Sequence, residues 1–599
     1  MNLSGLYLMQ TLQIAMITLT LAIVAPPSVA NSFALRNQLT DAPSPYLQQH
    51  AHDKVHWQTW SVETLTLARE QKKPILLSIG YYACHWCHVM QKESYQQDLV
   101  AQIINDAYIP IKVDRELAPG LDNAMLAYAK SLIGVAGWPL NIYLTADARP
   151  YDAHVYLNAQ SLAARLDNNR IAKINVPSLS VSSSLPRQTS SDINNQSFAL
   201  SVRSQLDELN GGFLGTRKFP QSPQLKAIAD YLRLNPDPIL KAWLENSLTQ
   251  MINVGLYDIV NGGFFRYTVD SDWRTPHFEK MLVDNIQLWQ LYRDMALAQP
   301  STAWQSIADQ TLKFMMTRLY DPKNAIFYTS LSALDNDGNE GGHYLWSKAQ
   351  LAQLLTEAQL KQISDDWQLH YPPSFDLGYL PVWGDHSRPN HEREAIARKL
   401  QAARSAIDIG TDKKKLVSYN GLMLSALSQA LRQQPNLKPI ADHLARFISQ
   451  SWQLGRLSQG AFINKPLAEA DLEGYAFAAK GLLDYAIATG DADASELAID
   501  LLNRSQELFV SDSGFIAQAA TDTFTLPRQV AFTDNALTAA TSVWIEASLS
   551  SRDRRLVKIA QQRLQQALPV MQDHPFEYAS LWSLYWKWKD WIVLPLTRQ

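Results

Sequence analysis

Cysteine is almost missing from this chain. Its 599 residues hold two, Cys84 and Cys87, which excludes a framework of structural disulfides. A basic surplus is missing too. Lys and Arg number 53 against 57 Asp and Glu, a formal charge of −4, so the footprint of a nucleic-acid binder is absent. With 46% apolar residues the chain is too hydrophobic for an acidic disordered protein. Its length exceeds what one core serves and implies several domains.

Residues 1–30 contain no Asp, Glu, Lys or Arg. Their apolar run from Ile14 to Ala25 spans about 12 residues, short of the ~20 that cross a membrane. Pro26-Pro27 and Ser28-Val29-Ala30 follow, with small residues where signal peptidase cuts. The pattern predicts a cleaved signal over 1–30, a periplasmic or secreted product starting near Asn31, and no stable membrane span after cleavage. An uncleaved anchor or a misplaced start codon is the alternative, because the leader lacks Lys and Arg. No cysteine follows the run, which argues against a lipid anchor.

The two cysteines stand in Tyr81-Tyr82-Ala83-Cys84-His85-Trp86-Cys87-His88-Val89-Met90. Lys73–Gly80 reads as a buried strand before them, and a helix runs after them to about Asn105. Strand Tyr108–Asp114, helix Pro119–Leu132, Gly137-Trp138-Pro139, strand Leu140–Leu144, strand Ala153–Leu157 and a short helix to about Asp167 complete the order. This is the order of an α/β thioredoxin-like domain, assigned to residues 31–175. A thiolate at a helix N-terminus meets unpaired N–H groups and the positive dipole end, which lowers its pKa. Cys84 is therefore expected as the exposed nucleophile and Cys87 as the resolving partner. His85, as a cation, would favour the thiolate, Trp86 adds bulk, and Pro139, if cis, would face the pair. A structural disulfide is the competing reading. A metal site is not expected, since C-x-x-C without a second cysteine pair supplies too few ligands. No cofactor is expected.

Several further blocks accompany the C-H-W-C-H-V-M motif: Ser44-Pro45-Tyr46-Leu47-Gln48-Gln49-His50-Ala51, Lys73-Pro74-Ile75, Lys112-Val113-Asp114-Arg115-Glu116 and Gly137-Trp138-Pro139-Leu140. With them the chain resembles the spermatogenesis-associated thioredoxin-domain family over nearly its whole length. The resemblance implies a thioredoxin-like domain followed by an all-α (α/α)6 six-hairpin toroid related to sugar epimerases and glycosidases. It says little about activity. The family's Gly-Gly-Thr-Tyr-Phe-Pro stretch is replaced here by His154-Val155-Tyr156-Leu157 and a short tail.

Residues 176–197 are Ser-rich, contain Pro177 and Pro186, and read as a flexible connector. Beyond it, 198–599 is helical in pattern. Asn210-Gly211-Gly212-Phe213 recurs as Asn261-Gly262-Gly263-Phe264, with echoes at Asn324–Phe327, Gln459–Phe462 and Ser513–Phe515. Such repeats suggest helical hairpins in a solenoid or a closed toroid, and the resemblance favours the toroid.

Polar clusters fall between the helices. Arg266-Tyr267-Thr268-Val269-Asp270 and Pro276-His277-Phe278-Glu279-Lys280-Met281-Leu282, with Asp284-Asn285, match the family's densest motif. A helix from about His277 would put Glu279 and Lys280 in its first turn. His277 is the candidate base, and Glu279 the candidate acid or sugar-hydroxyl acceptor. Asp335 lies in an acidic loop with Asp337 and Glu340 whose spacing excludes an EF-hand. Tyr419-Asn420 stands where the family shows Trp-Asn, Glu473 and Tyr475 match helix starts, and Asp534-Asn535 replaces Gly-Asn. Capping competes with ligand binding at each of these positions.

Three functions follow in order. The first is a secreted thiol–disulfide oxidoreductase whose toroid holds a substrate, with a protein thiol or disulfide as partner. The second is a carbohydrate epimerase, isomerase or glycosidase acting in the toroid on a carbohydrate ligand. The third is a non-catalytic binding protein. A toroid mouth that opens toward Cys84 would favour one combined site.

Overall fold

The computed structural model describes residues 35–171, 195–300, 302–385, 391–404, 409–463, 465–511, 514–515 and 533–592. The predicted signal and residues 176–194 of the predicted connector lie outside the described residues. Its last three residues, 195–197, begin a helix.

Strands β1 (Ile75–Gly80), β2 (Ile109–Asp114), β3 (Leu140–Leu144) and β4 (Pro150–His154) form one sheet in the order β2-β1-β3-β4. β1 and β2 run parallel, and β3 is antiparallel to both β1 and β4. Every residue of β1, β2 and β3 is buried, as expected of strands covered on both faces. β4 starts and ends earlier than the predicted Ala153–Leu157, because its ladder with β3 runs from Pro150 opposite Leu144 to His154 opposite Asn141.

Helices α1 (Pro45–Gln49) and α2 (Val62–Gln71) precede the sheet, and α3 (His85–Met90) starts at the cysteine pair. The single helix predicted to Asn105 is broken. A π turn at Gln91–Tyr95 separates α3 from α4 (Asp98–Ala107). The wider turn seats Tyr95 in the core, where its hydroxyl donates to Asn141 Oδ1 at 2.6 Å. α5 (Pro119–Ile133) and α6 (Ala159–Ile171) complete a thioredoxin-like domain.

The rest is helical. In chain order come α7 (Asn195–Arg203), α8 (Ser222–Leu234), α9 (Pro238–Asn253), α10 (Leu282–Ala298) and α11 (Thr302–Phe314). An excursion carries α12 (Lys348–Leu354), α13 (Glu357–Ile363) and α14 (His391–Arg404). Then come α15 (Val417–Ala430), α16 (Lys438–Ser451), α17 (Leu472–Thr489), α18 (Ala492–Phe509), α19 (Ala540–Ser550), α20 (Arg554–Asp573) and α21 (Ala579–Ile592).

Helices α8, α10, α15, α17, α19 and α21 each touch the next, and α21 returns to α8. That contact closes the ring and excludes an open solenoid. Helices α9, α11, α16, α18 and α20 pack outside their predecessors. α7 fills the sixth outer place, its Phe198 against Trp582 and Trp586 of α21. The fold is an (α/α)6 toroid. The inner α15 is buried at nearly every position, whereas the outer α16 buries one stripe, Ala441, Leu444, Ala445 and Ile448. α15 and α17 meet at backbone distance through Gly421 and Gly481: a methyl group on Gly481 would lie 2.4 Å from the Gly421 carbonyl oxygen. Among the described residues no helix is long and apolar enough to cross a membrane.

The repeated Asn-Gly-Gly-Phe segments belong to a larger device. Asp207, Asp258 and Asp321 open three of these turns, and each carboxylate accepts from a backbone N–H inside its own turn. A lysine then locks each: Lys218 Nζ to Asp207 at 2.7 Å, Lys280 Nζ to Asp258 at 2.8 Å and Lys415 Nζ to Asp321 at 3.2 Å. Asn285 clamps Phe264, accepting from its N–H at 2.7 Å and donating to its carbonyl at 3.1 Å. Asn420 does the same to Phe327 at 2.9 and 3.1 Å. Lys280, Asn285 and Asn420, expected at a substrate, are therefore spent on the frame.

The predicted helix at His277 is a second correction. Pro276–His277 and Lys280–Met281 are short strands, and α10 begins at Leu282. Pairing of Lys280–Met281 with Ser330–Leu331 keeps this segment extended. Side chains alternate along it. Phe278 packs on Tyr344 and Lys280 reaches Asp258, while His277 and Glu279 point the other way.

Candidate functional site at the domain contact

Cys84 is the N-cap of α3, and its sulfur accepts from Cys87 N–H at 3.1 Å. Cys84 and Cys87 are joined as a disulfide. Cys84 is 2% exposed and Cys87 1%, which corrects the expectation of an exposed nucleophile. The reason is the toroid. Its loops carrying Arg266, His277, Glu279 and Glu340 lie over the start of α3.

These contacts form a clasp. Glu279 Oε1 accepts from His85 N–H at 3.4 Å, at the end of α3 where a thiolate would be stabilised. Glu279 Oε2 accepts from the Tyr81 hydroxyl at 2.6 Å and from Arg266 Nη1 at 3.2 Å. Arg266 also donates to the Tyr81 hydroxyl. Trp86 Nε1 donates to His277 Nε2 at 3.3 Å. Glu340 joins two histidines, meeting His277 Nδ1 and standing 3.3 Å from His85 Nε2, and the two rings stack at 5.2 Å. Burial holds the Glu279 carboxyl above its ordinary range, against the pull of Arg266 and His277. Burial also pushes His85 below its ordinary range despite Glu340, so at pH 7 it is neutral and not the cation expected.

A second group of charges joins the domains beside the clasp. Lys414 Nζ is surrounded by Asp114, by Glu116 at 2.9 Å and by Asp412 at 3.0 Å, with all four side chains no more than 1% exposed. Ser44 donates to Asp114 at 2.5 Å and Tyr419 to Glu116 at 3.3 Å. The three carboxylates have cation-ligand spacing, but the lysine ammonium stands at their centre. Arg115 pairs with Asp122 at 3.0 Å and lies 4.0 Å over the Trp138 ring, whose indole N–H donates to Asp122 at 2.8 Å. The Trp138–Pro139 bond is cis.

Asp284 lies in the first turn of α10 and is 5% exposed. Burial pushes its carboxyl up to about 6, and its Oδ2 has no partner. Asp471 caps α17 and accepts from Gly120 N–H of α5 at 3.0 Å. Burial raises the neighbouring Glu473 carboxyl, and Asp471 raises it further.

The other expected residues mostly serve loops. Tyr267 stacks on Phe219 at 4.6 Å and backs the His277 ring at 4.9 Å. Asp270 accepts from Arg274 and Thr275 N–H at 2.8 and 2.6 Å, bracing its own turn. Asp335 accepts from Asp337 and Asn339 N–H at 2.9 and 2.8 Å and so shapes the loop that delivers Glu340. Tyr475 accepts from Leu457 N–H at 3.1 Å, and Asp534 accepts from Ala539 and Ser580 N–H at 3.0 and 2.7 Å. Asn535 donates to Asn123 across the domain contact at 3.4 Å. Sequence reasoning missed Tyr81, Arg115, Asp122 and Lys414 as parts of the site, and it placed Glu340 in an acidic loop without its histidines.

Residues 36–177 match the Thioredox_DsbH family model, described as a protein of unknown function, DUF255. Spermatogenesis-associated protein 20 of Homo sapiens is 28% identical over 559 residues, covering 80% of this chain and 70% of that protein. The Mus musculus protein of that name is likewise 28% identical, over 82% of this chain and 71% of its own length. An uncharacterized protein of Caenorhabditis elegans is 27% identical over 85% of this chain and 79% of its own length. Among solved structures, a sugar epimerase from a ruminal bacterium is 12% identical over 61% of this chain and 96% of its own, at a TM-score of 0.31. A DsbH oxidoreductase is 17% identical over 20% of this chain and 84% of its own, at a TM-score of 0.17. Neither structural likeness carries weight here. The toroid rests on its own closed ring of helix contacts.

Proposed function

We propose that the protein is a thiol–disulfide oxidoreductase whose Cys84–Cys87 pair works against the toroid mouth, in one site shared by both domains. The observation that carries this is the clasp: a toroid carboxylate, Glu279, accepts from His85 N–H at the very end of the helix that activates Cys84. A dithiol substrate reduces the pair in two exchanges. Its thiolate bonds to Cys84 Sγ and expels the Cys87 thiolate. Its second thiolate then closes the substrate disulfide and expels Cys84. Two electrons pass to the pair, and solvent supplies the protons the two sulfurs take up. The reverse sequence oxidises. With Cys84 2% exposed, a substrate reaches it only as the clasp opens, so the toroid controls access. The signal-like leader expected at residues 1–30 supports a periplasmic or secreted setting for this chemistry.

A second reading has one observation in its favour. Both ring nitrogens of His277 and both oxygens of Glu279 are engaged by the clasp, which leaves neither to act on a sugar. Asp284, with an unpartnered oxygen and a pKa that burial raises to about 6, is the acid this reading assigns to a carbohydrate.

The test is exchange of the native full-length protein with dithiothreitol buffers, scored by maleimide trapping. The expected result is full equilibration with a reduction potential above about −300 mV. A pair that exchanges only after unfolding, or a potential below that value, overturns the redox reading. Turnover of a sugar panel that is lost in Asp284→Asn, with cysteine variants unaffected, would establish the second reading in its place.

A further inference from the structure

The exchange described above expels Cys87 as a thiolate inside the protein, and a group beside that sulfur is placed to receive it. Tyr46 of α1 is fully buried, and its hydroxyl has no hydrogen-bond partner. An unpaired buried hydroxyl is unusual in a folded protein. It lies near the Cys87 sulfur. A methyl group on Gly80, the end of β1, would stand 2.2 Å from the Tyr46 hydroxyl oxygen and 2.8 Å from Cys87 Sγ. Hydroxyl and sulfur therefore border the one small space that glycine leaves open.

The ring is held firmly. Ser44 caps α1 and is tied to Asp114 at 2.5 Å, His50 meets the Tyr46 ring edge-on at 5.0 Å, and Lys112 Nζ stands 5.5 Å from its centroid. Neighbouring polar groups have partners of their own. Lys112 donates to Ser78 at 3.1 Å, His50 Nδ1 bonds Asp53 at 2.6 Å, and Tyr95 donates to Asn141 at 2.6 Å. Burial and nearby charges hold the Tyr46 phenol above its ordinary range, so it keeps its proton.

We propose that Tyr46 is the hydrogen-bond donor to the Cys87 sulfur as the disulfide opens. The attacking thiolate, its proton already lost to solvent, forms a bond to Cys84 Sγ. The Cys84–Cys87 bond breaks, and the electron pair stays on Cys87 Sγ with the negative charge the nucleophile brought in. No proton moves in this step. Cys87 is 1% exposed, so water does not solvate that charge, and the Tyr46 hydroxyl replaces it. This rests on the thiol–disulfide reading above.

Tyr46→Phe removes the hydroxyl alone. Tyr108→Phe is the matched control, since it deletes another buried hydroxyl of the same domain, one bound to the Leu166 carbonyl at 2.6 Å. Opening of the disulfide by dithiothreitol is timed in the full-length protein, where the rate is proportional to dithiothreitol concentration. Tyr46→Phe is expected to open about tenfold or more slowly, the weight of one hydrogen bond to a charge. The Cys87 thiol, titrated by its absorbance at 240 nm in a Cys84→Ser background, is expected to rise by about one pKa unit. Tyr108→Phe should change neither. Equal opening rates for Tyr46→Phe and the parent overturn the role of Tyr46 and leave the redox reading standing. A parent protein that does not exchange at all overturns the redox reading itself.

Discussion

Lys414→Met puts the domain contact to the test. One ammonium faces three carboxylates, Asp114 and Glu116 from the end of β2 and Asp412 from the toroid, and none of the four side chains is more than 1% exposed. Methionine fills similar space and leaves the carboxylates without a cation. Removing one member of a buried ionic group costs about 3–5 kcal/mol, since the remaining charges stay desolvated. The loss depends on pH in a definite sense. Burial already raises the Asp412 carboxyl, so its protonated form supports the fold at low pH and that support fades as pH rises through the folded-state value. Without Lys414 the carboxyl rises further. The variant should therefore lose less at pH 5.5, where Asp412 takes a proton, than at pH 8. Urea unfolding followed by tryptophan fluorescence at the two pH values measures the difference. Because the same contact holds the cover over the disulfide, dithiothreitol should also open Cys84–Cys87 faster in the variant at pH 8. A loss under about 1 kcal/mol at pH 8, with an unchanged opening rate, would refute the view that this ammonium binds the two domains together.

Two further outcomes are expected. Asn420→Ala leaves the N–H and carbonyl of Phe327 unpaired in the frame, so unfolding should come ~2–4 kcal/mol sooner while the disulfide exchange rate stays as it was. Asp284 has a folded value of about 6 against an ordinary 3.8, so it supports the fold below pH 4 and withdraws that support as pH rises through 6. Relative to Asp284→Asn, the parent should lose about 3 kcal/mol between pH 4 and pH 7.5 at ~1.4 kcal/mol per unit, and parallel stability curves would show that Asp284 does not carry this cost.

What could be read from the sequence was what local pattern encodes. The Cys84-His85-Trp86-Cys87 motif and the strands on either side of it point to the thioredoxin-like domain, and the recurring Asn-Gly-Gly-Phe turns point to helical hairpins, whose closure into a toroid only the family resemblance favours. The lysines that lock those turns were invisible as a repeat, because Lys218, Lys280 and Lys415 arrive at unequal distances from Asp207, Asp258 and Asp321. The helix expected from about His277 is a strand there, and His277 and Glu279 alternate with Phe278 and Lys280. A run so short pairs as a strand only because Ser330–Leu331 lies beside it, a neighbour fifty residues away that no local window contains. The burial of Cys84 was likewise out of reach. Its cover comes from Glu279 and Glu340, and a loop's destination across a domain contact leaves no periodic trace.

The ring of inner helices closes through α21 against α8, and α7 completes it by leaning on α21. During synthesis, then, the helical half stays an unfinished arc until α21 has been made. The sheet and α3, complete some four hundred residues earlier, meet no such delay. A chain whose sheet and α3 form ahead of the loops at residues 266–340 would carry its sulfur pair without the cover that Glu279 and Glu340 later provide.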